Sequence, residues 1–298
     1  MKLKPGRILA ALLTAALLIP ALSGCGGKSG KIVVGSKDFT ENKILAEMMA
    51  QLIESKTDLS VERKLNMNGT FVCFEALKKG EIDLYPEYTG TALTAQLKRP
   101  VDPDPDKVYR IVSEEFEKQF KITWLKPLGL NNTYAIAMPR KLAEENGIES
   151  ISDLAKKPGQ FTYGADHEFF NRQDGYNGLV KAYGLSFKGV SKMNMSLKYQ
   201  AIGSGKMDVT DVFQTDGQLK AFDLKVLKDD KHFFPPYYGA PIVRDETLKK
   251  HPELEKALNS LGGKIGDETM RELNYRVDNK KESLESVAKD FLTKSGLI

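Results

Sequence analysis

KIVVG at residues 31–35 begins the part of the chain that decides the fold. Its β-branched run is typical of a buried strand that ends at a glycine. Asp38 and Glu41 then stand at the spacing of a capping box, ahead of an amphipathic helical run at residues 44–53. The next predicted elements are a strand at 61–65, a helix at 70–79 ended by Gly80, and a strand at 82–85 closed by Pro86. This alternation predicts a doubly wound α/β layer with a parallel sheet.

A second alternating series follows residue 132. It comprises predicted strands at 134–138, 161–164 and 209–212 and predicted helices at 151–154 and 174–183. After a segment rich in proline and aromatic residues at 233–238, the pattern predicts a short strand and a polar helical tail to Ile298. We therefore expect two α/β lobes joined by two crossings, with a ligand cleft between them. Lobe I takes residues 31–131 plus 237–298, and lobe II takes residues 132–236.

The amino terminus has the pattern of a bacterial export signal. Three basic residues precede an apolar run at 8–19 that is too short to span a bilayer as a helix. The sequence Leu-Ser-Gly-Cys at 22–25 resembles a lipobox, in which the cysteine is acylated, for example with palmitate, and becomes the first mature residue. We expect a signal peptide at 1–24, lipid attachment at Cys25, a tether at 25–30 and a location on the extracytoplasmic face of the cell membrane. The alternative is an ordinary secretory signal with a coincidental cysteine.

Composition limits the classes of partner and cofactor. Without the three basic residues of the signal, the 44 Lys+Arg become 41 against 40 Asp+Glu, a balance of +1. Such a near-neutral surface argues against nucleic acid as a partner. Cys73 lies in the apolar run Phe71-Val72-Cys73-Phe74 and is interpreted as a small buried hydrophobe. The three histidines are scattered without metal-ligand spacing, so we expect no metal and no cofactor.

Aromatic and cationic side chains recur where predicted strands end. Because a trimethylammonium group cannot donate hydrogen bonds, it is held best by several aromatic faces. A carboxylate at the other end of a ligand requires arginine, lysine and hydroxyl donors. Tyrosines together with one lysine and one arginine therefore favour a zwitterion with a quaternary amine. Taken singly, each of these segments also fits a packed loop or an ordinary helix cap.

Six of these segments carry a resemblance to a known family. They are GSKDFTE (35–41), DLYPEYTGT (83–91), NNTYA (131–135), NRQDG (171–175), DVFQTDGQL (211–219) and PPYYGAP (235–241). In this order they resemble the substrate-binding proteins of ABC importers for glycine betaine, choline and related quaternary amines, including ergothioneine-binding members. The resemblance covers residues 31–298. It implies a two-lobed periplasmic-binding-protein fold of type II, with an aromatic cage between the lobes.

Carried over position by position, the resemblance implies a set of site residues. The cage would comprise Tyr88, Tyr134, Phe213 and Tyr237. Phe213 departs from the family, which often has tyrosine there, so the aromatic face is kept but a hydroxyl is lost. The ligand carboxylate would be held by Lys37, Thr91 and Arg172. A backbone carbonyl near Asn132 would complete the cation site, and Tyr238 is a weaker candidate.

The expected function is that of an extracytoplasmic, membrane-tethered subunit, a monomer, that delivers a quaternary amine to an ABC permease. Retention of Lys37 and Arg172 favours a carboxylated betaine, which leaves glycine betaine, carnitine and ergothioneine open. Alternatives are a choline- or carnitine-specific member of the same family, a secreted hydrolase of choline esters, and a binding protein for an ordinary amino acid. Gly203-Ser204-Gly205-Lys206 lacks the rest of a phosphate loop, and no nucleophile–base pattern appears, so we expect no enzyme.

Overall fold

A computed structural model describes residues 30–172, 174–193 and 195–298. The expected signal peptide and the lipidated Cys25 lie outside these described residues. Within them, the chain forms two five-stranded sheets, each flanked by helices on both faces. The predicted α/β architecture with two lobes is therefore confirmed.

The first sheet has the strand order β2-β1-β3-β10-β4. Its strands are β1 Gly30–Gly35, β2 Leu59–Lys64, β3 Leu84–Tyr88, β4 Ile122–Trp124 and β10 Gly239–Arg244. The first three run parallel, as the alternating pattern predicts. β10 runs antiparallel between β3 and β4, because the chain returns to this sheet from the opposite direction.

The second sheet repeats this topology with the order β7-β6-β8-β5-β9. Its strands are β5 Tyr134–Pro139, β6 Thr162–Asp166, β7 Gly189–Met193, β8 Val209–Phe213 and β9 Leu224–Leu227. β6, β7 and β8 are parallel, and β5 is the antiparallel insertion. In each sheet, the inserted strand is thus the one that enters directly from the other sheet.

Helices connect the strands. In the first half of the chain they are α1 Thr40–Lys56, α2 Thr70–Lys79, α3 Thr89–Thr91 with a π-helical turn Ala92–Gln96, α4 Pro105–Phe120, α5 Arg140–Glu145 and α6 Ile151–Ala155. In the second half they are α7 His167–Asn171, α8 Tyr176–Tyr183, α9 Met195–Gly203, α10 Gln218–Ala221, α11 Asp245–Lys250, α12 Glu253–Asn259, α13 Asp267–Asp278 and α14 Leu284–Lys294. The predicted end of α2 is confirmed, since Gly80 has φ 75° at its carboxyl terminus.

The prediction that Pro86 closes a strand is wrong, because β3 continues through it to Tyr88. Pro86 lies opposite Pro241 in the β3–β10 pair, so the two residues without an amide hydrogen face each other. The Pro241 carbonyl accepts from the Leu125 amide at 2.9 Å. The Pro86 carbonyl accepts from Asn42 Nδ2 at 2.8 Å, so the carbonyl groups of both prolines are hydrogen-bonded.

Two adjacent segments carry the chain between the sheets. The first runs from Leu130 to Thr133 and the second from Pro235 to Tyr238. Asn131 and Tyr238 form an isolated antiparallel bridge. The Asn132 amide donates to the Tyr237 carbonyl at 3.1 Å, and Thr133 Oγ1 donates to the Pro235 carbonyl at 2.8 Å. The two crossings predicted near 130–133 and 233–238 therefore lie side by side, hydrogen-bonded to each other.

Candidate functional site

The four aromatic residues expected in a cage all lie where strands meet the crossings. Tyr88 ends β3 and Phe213 ends β8, while Tyr134 begins β5 and Tyr237 stands two residues before β10. Because β5 and β10 are antiparallel to their neighbours, their amino ends lie at the same sheet edge as the carboxyl ends of β8 and β3. The inserted antiparallel strands therefore bring the four side chains to facing edges of the two sheets.

Tyr134 and Phe213 form the aromatic centre on the second sheet. They are direct cross-strand partners, and their ring centroids are 4.7 Å apart. Phe169 lies 5.1 Å from Tyr134 and Phe234 lies 6.4 Å from it, which extends the aromatic surface. Tyr134 is 5% exposed, whereas Phe213 is half-buried, so Phe213 is the more exposed ring of the pair.

Arg172 lies against this aromatic centre. Its guanidinium carbon is 5.0 Å from the centroid of the Tyr134 ring, which is cation–π distance. Its Nε and Nη2 donate to the two carboxylate oxygens of Asp174, each at 2.8 Å. Its Nη2 also donates to the Tyr237 hydroxyl at 2.8 Å. One arginine thus joins two of the expected cage residues.

Tyr237 is held at its hydroxyl, at its backbone amide and at its ring. Its hydroxyl donates to Asp174 Oδ2 at 2.9 Å, and its amide donates to Asn131 Oδ1 at 2.7 Å. Burial together with the Asp174 charge raises the pKa of Tyr237, so it remains a neutral phenol. Below the ring lies Gly90, where an added Cβ would come within 2.8 Å of Tyr237 Cε1. The glycine in the segment TGT is therefore required for close packing of the ring.

Tyr88 is connected to the site through a buried carboxylate. The Tyr88 hydroxyl donates to Glu41 Oε1 at 2.7 Å. Asn132 Nδ2 donates to the same oxygen at 2.9 Å, and Asn274 Nδ2 reaches Glu41 Oε2 at 3.3 Å. Burial raises the pKa of Glu41, and hydrogen bonds from Thr215, Tyr88, Asn274 and Asn132 offset only part of this effect. Glu41 therefore links the first sheet, a crossing, and α13.

The predicted capping box at Asp38 and Glu41 is wrong. Phe39 is the residue before α1, and no side chain caps the helix. Asp38 instead pairs with Lys43 at 2.7 Å, while Glu41 points into the buried network. The spacing of the two acidic residues is right for a cap, but burial of the helix end gives Glu41 stronger partners.

Lys37 lies at the carboxyl end of β1 and is already paired. Its Nζ donates to Glu87 and lies 5.2 Å from the Tyr88 ring centroid. Both charges are almost completely buried, with side-chain exposures of 5% for Lys37 and 0% for Glu87. Glu87 also accepts from the Tyr85 hydroxyl at 2.9 Å and from Gln96 Nε2 at 3.0 Å. The lysine expected to bind a ligand carboxylate thus neutralises a carboxylate of the protein.

The remaining candidates lie around the crossings. Thr91 is half-buried at the end of α3. Tyr238 is half-buried and is held by its backbone, because its amide donates to Thr89 Oγ1 at 3.1 Å. Asn132 is the crossing residue that donates to Glu41.

Three acidic residues of the site were not among the sequence candidates. Glu41, Glu87 and Asp174 all lie inside the family-like segments GSKDFTE, DLYPEYTGT and NRQDG. Their spacing carried no signal of a buried role, since acidic residues in loops and first helical turns are ordinarily solvated. The one signal in the sequence that could identify them is their position inside the shared motifs.

The described residues outside the aromatic site include a buried thiol and a surface pocket. Cys73 is fully buried, which confirms the prediction of a small buried hydrophobe, and burial raises the pKa of its thiol to about 12. Among the described residues, no group of three or more His, Cys, Asp or Glu side chains is arranged to hold a metal ion. Across that same part of the chain, helices long and apolar enough for a membrane span are absent. A surface pocket of about 700 Å³ lies beside α13, and it shares no lining residue with the aromatic site.

Comparison with known proteins gives consistent results. A family model described as the substrate binding domain of ABC-type glycine betaine transport systems matches residues 30–294. The ergothioneine transport permease/ergothioneine binding protein EgtU of Helicobacter pylori (strain G27) is 43% identical over 267 residues. That alignment covers 89% of this chain and 48% of EgtU, so this chain spans about half the length of that relative.

Two further proteins match along nearly their whole length. The carnitine transport binding protein OpuCC of Listeria monocytogenes is 38% identical over 289 residues, 95% of this chain and 94% of OpuCC. The crystal structure of a glycine betaine/carnitine/choline ABC transporter protein has a TM-score of 0.84 at 36% identity, covering 89% of this chain and 99% of that one. These relatives are transport binding proteins, and the expected type II periplasmic-binding-protein fold is confirmed. The chain belongs to the family of substrate-binding domains of ABC-type glycine betaine transport systems.

Proposed function

We propose that this chain captures a quaternary-ammonium zwitterion between its two lobes and delivers it to an ABC permease. One observation carries the proposal: a guanidinium cation lies against the Tyr134 ring and bonds the Tyr237 hydroxyl at the junction of the two sheets. An aromatic surface that accommodates an arginine side chain has the chemistry to accept a trimethylammonium group. The names of the relatives, which specify ergothioneine, carnitine and glycine betaine, support the same ligand class.

The cation end of the ligand would contact Tyr88, Tyr134, Phe213 and Tyr237. Each desolvated cation–π contact contributes about 0.5–2 kcal/mol, so several faces are needed for tight binding. Phe213 keeps its ring face beside Tyr134, at a centroid distance of 4.7 Å. Replacement of tyrosine by phenylalanine there therefore retains the interaction with the cation.

The carboxylate end would be bound by Arg172, with Lys37 and Thr91 as further contacts. Arg172 is half-buried and is oriented by its two bonds to Asp174. Its planar fork pairs carboxylates in two parallel hydrogen bonds. Lys37 and Arg172 each pair with a carboxylate of the protein, but the Arg172 side chain is 26% exposed against 5% for Lys37, so Arg172 is the principal partner in this proposal.

Closure of the lobes follows from where these residues lie. We propose lobe I at 31–131 plus 237–298 and lobe II at 132–236. Tyr88 and Tyr237 then belong to lobe I, while Tyr134, Phe213 and Arg172 belong to lobe II. A ligand that contacts both sets stabilises the closed form, because those contacts are complete only there.

The proposal extends to the permease partner and the membrane tether of the chain. The chain acts as a binding protein and not as an enzyme, as its relatives do. Its partner is a membrane permease, and it is tethered as a monomer through lipid on Cys25 at the extracytoplasmic face. Mass spectrometry of the membrane-extracted protein tests the tether, with a diacylated amino-terminal cysteine as the expected result.

Calorimetric titration tests the ligand class. The chain from Gly26 onward is titrated with glycine betaine, choline, carnitine and ergothioneine in parallel. We expect tight binding of at least one of them, and carboxylated ligands to exceed choline because of Arg172. No heat with any of the four, from folded protein, would overturn the proposal.

Replacement of Tyr134 tests the cage. We expect Tyr134→Ala to weaken binding of the best ligand by about tenfold or more, since a full aromatic face is lost. Tyr134→Phe serves as the matched control, because it keeps the ring that contacts Phe213 and the Arg172 guanidinium. Equal affinity of the alanine variant and the wild type would remove Tyr134 from the cage.

A further inference from the structure

Glu41 is a buried carboxylate whose neighbours in the described structure are uncharged. It is 3% exposed, and its bonds come from Tyr88, Asn132, Asn274 and Thr215. By contrast, Glu87 pairs with Lys37, and Glu47, on the same helix as Glu41, pairs with Arg63 at 2.8 Å. The site therefore contains one carboxylate that hydrogen bonds hold in place but no described ion pair neutralises.

The surroundings of Glu41 contain a further excess of acceptors. Asn132 and Asn274 both direct Nδ2 to the carboxylate, which accepts but does not donate. Their Oδ1 atoms are buried and have no hydrogen-bond partner in the described structure. The carboxylate that accepts from the Tyr88 hydroxyl therefore produces a negative potential at that hydroxyl, and the two asparagine oxygens have no described donor that would offset it.

Tyr88 transmits this potential to the proposed cage. A hydroxyl that donates to a carboxylate makes its ring more electron-rich, and cations are attracted by the electrons of the ring face. The Lys37 ammonium group lies 5.2 Å from the same ring, but its charge is balanced by Glu87. Glu41 accepts hydrogen bonds from Tyr88, Asn132 and Asn274, which is the arrangement that favours its ionised form, and the uncompensated charge at Tyr88 is then that of Glu41.

We propose that Glu41 is the charge-selecting residue of the site, which makes the cage prefer a cation over a neutral group of the same shape. Glu41 acts through Tyr88 and the local potential and need not touch the ligand, so it is a positioning residue. This inference rests on the proposed function, because it concerns the selectivity of the same cage.

Isosteric ligands separate charge from shape. The carboxylate 3,3-dimethylbutanoate has the shape of glycine betaine with carbon in place of the ammonium nitrogen. The neutral alcohol 3,3-dimethylbutan-1-ol has the same relation to choline. Affinities for both pairs are measured by calorimetry with the wild type, Glu41→Gln, Tyr88→Phe and Glu47→Gln. The readout is the preference for the cation over its carbon isostere.

We expect Glu41→Gln to reduce this preference by about tenfold or more, because a buried charge acts through a low effective dielectric constant. Tyr88→Phe, which keeps the ring but removes the hydrogen bond, should reduce it less. Glu47→Gln, which removes a buried charge elsewhere on α1, should leave it unchanged. Urea unfolding establishes that each variant is folded.

Three outcomes would contradict the proposal. The first is an unchanged preference in folded Glu41→Gln, or in Tyr88→Phe should Glu41→Gln not fold. The second is an equal loss of affinity for cation and isostere, which would indicate a purely structural role. The third is absence of binding of every quaternary ligand by the wild type, which alone would also overturn the proposed function.

Discussion

At the scale of single residues, Gly90 allows the crossing at residues 235–238 to approach the first sheet closely. An added Cβ at this position would lie 2.7 Å from the Pro236 carbonyl oxygen and 2.8 Å from Tyr237 Cε1. The carbonyl belongs to backbone that bonds the neighbouring crossing, so it has little freedom to move. A side chain at residue 90 would therefore displace the Tyr237 ring from Arg172 and Asp174.

We expect Gly90→Ala to lower the free energy of unfolding by about 1–3 kcal/mol, as overpacking does in a dense interior. It should also weaken ligand binding, because the Tyr237 ring is displaced. The matched control is Gly69→Ala, since no atom lies within 4 Å of a Cβ at residue 69. Urea unfolding and calorimetry provide the measurements, and equal behaviour of the two variants would refute the packing argument.

At the scale of elements, α13 connects the two sheets. It follows the strands of the first sheet in the chain, yet it contacts the turn between β8 and α10. Arg271 Nη2 donates to the Gln214 carbonyl at 2.9 Å, and Asn274 Nδ2 donates to the Thr215 carbonyl at 2.9 Å. At its amino end, Asp267 accepts from the Asn131 amide at 2.7 Å. The helix therefore restrains a crossing and the turn that follows Phe213.

Removal of Arg271 should loosen this restraint. We expect Arg271→Ala to accelerate amide hydrogen exchange at residues 213–217, because the Gln214 carbonyl loses its two donors on α13. Ligand affinity should fall with it, since Phe213 is adjacent to the loosened turn. Arg110→Ala, at an exposed position of α4, is the control. Unchanged exchange in this turn would show that α13 does not hold it.

At the scale of the whole molecule, three carboxyl groups near α13 are removed from solvent, since Glu41 is buried and Asp216 and Asp267 are half-buried. Burial raises the pKa of Glu41, Asp216 and Asp267 above the ordinary values. Several carboxyl groups on the outer surface, such as Glu62 and Asp153, have lowered pKa values because of hydrogen bonds to lysines. Burial therefore opposes ionisation of these three groups, which costs stability at neutral pH.

The loss of stability that results from burying the ionised Glu41 side chain depends on pH. Because its pKa is higher in the folded protein than the ordinary 4.5, the folded chain holds the proton more tightly than the unfolded chain. Its contribution to the free energy of unfolding therefore falls as pH rises through the interval between the two pKa values. Below 4.5 the carboxyl group is neutral in both states, and the cost is absent.

We therefore expect Glu41→Gln to be more stable than the wild type at neutral pH, with a gain that shrinks as pH falls towards 4.5. Urea unfolding of both proteins across this range provides the measurement, and other titrating groups cancel in the difference. A stability difference that is the same at every pH would contradict the assignment. If Glu41→Gln is more stable and also binds cations more weakly, the two results together would show a trade-off between function and stability at one residue.

Much of the fold followed from local pattern. Hydrophobic periodicity predicts seven of the ten described strands and the helices α1, α2, α6 and α8, Gly80 predicts a helix end, and the order of elements predicts two α/β units. The pattern misses the short strands β4, β7 and β9 and the helix α4. These features depend on residues close together in the chain, where spacing alone determines which side chains share a face. The antiparallel insertions β5 and β10 were not predicted, because strand direction in a sheet depends on how the chain returns from the other unit. Pro86 was misinterpreted for the same reason, since its tolerance depends on Pro241 directly opposite.

For the site, the sequence determined which aromatic and cationic residues stand at strand ends, and the shared motifs supplied their expected roles. Only the tertiary structure decided the partners of the charged residues. Arg172 was assigned to a ligand, and the fold also places it against Tyr134, Asp174 and Tyr237. Glu41 bonds Asn132 and Asn274, which are 91 and 233 residues away in the chain. The partner of a charged group is decided by burial and by distances between residues remote in sequence, and local spacing contains neither.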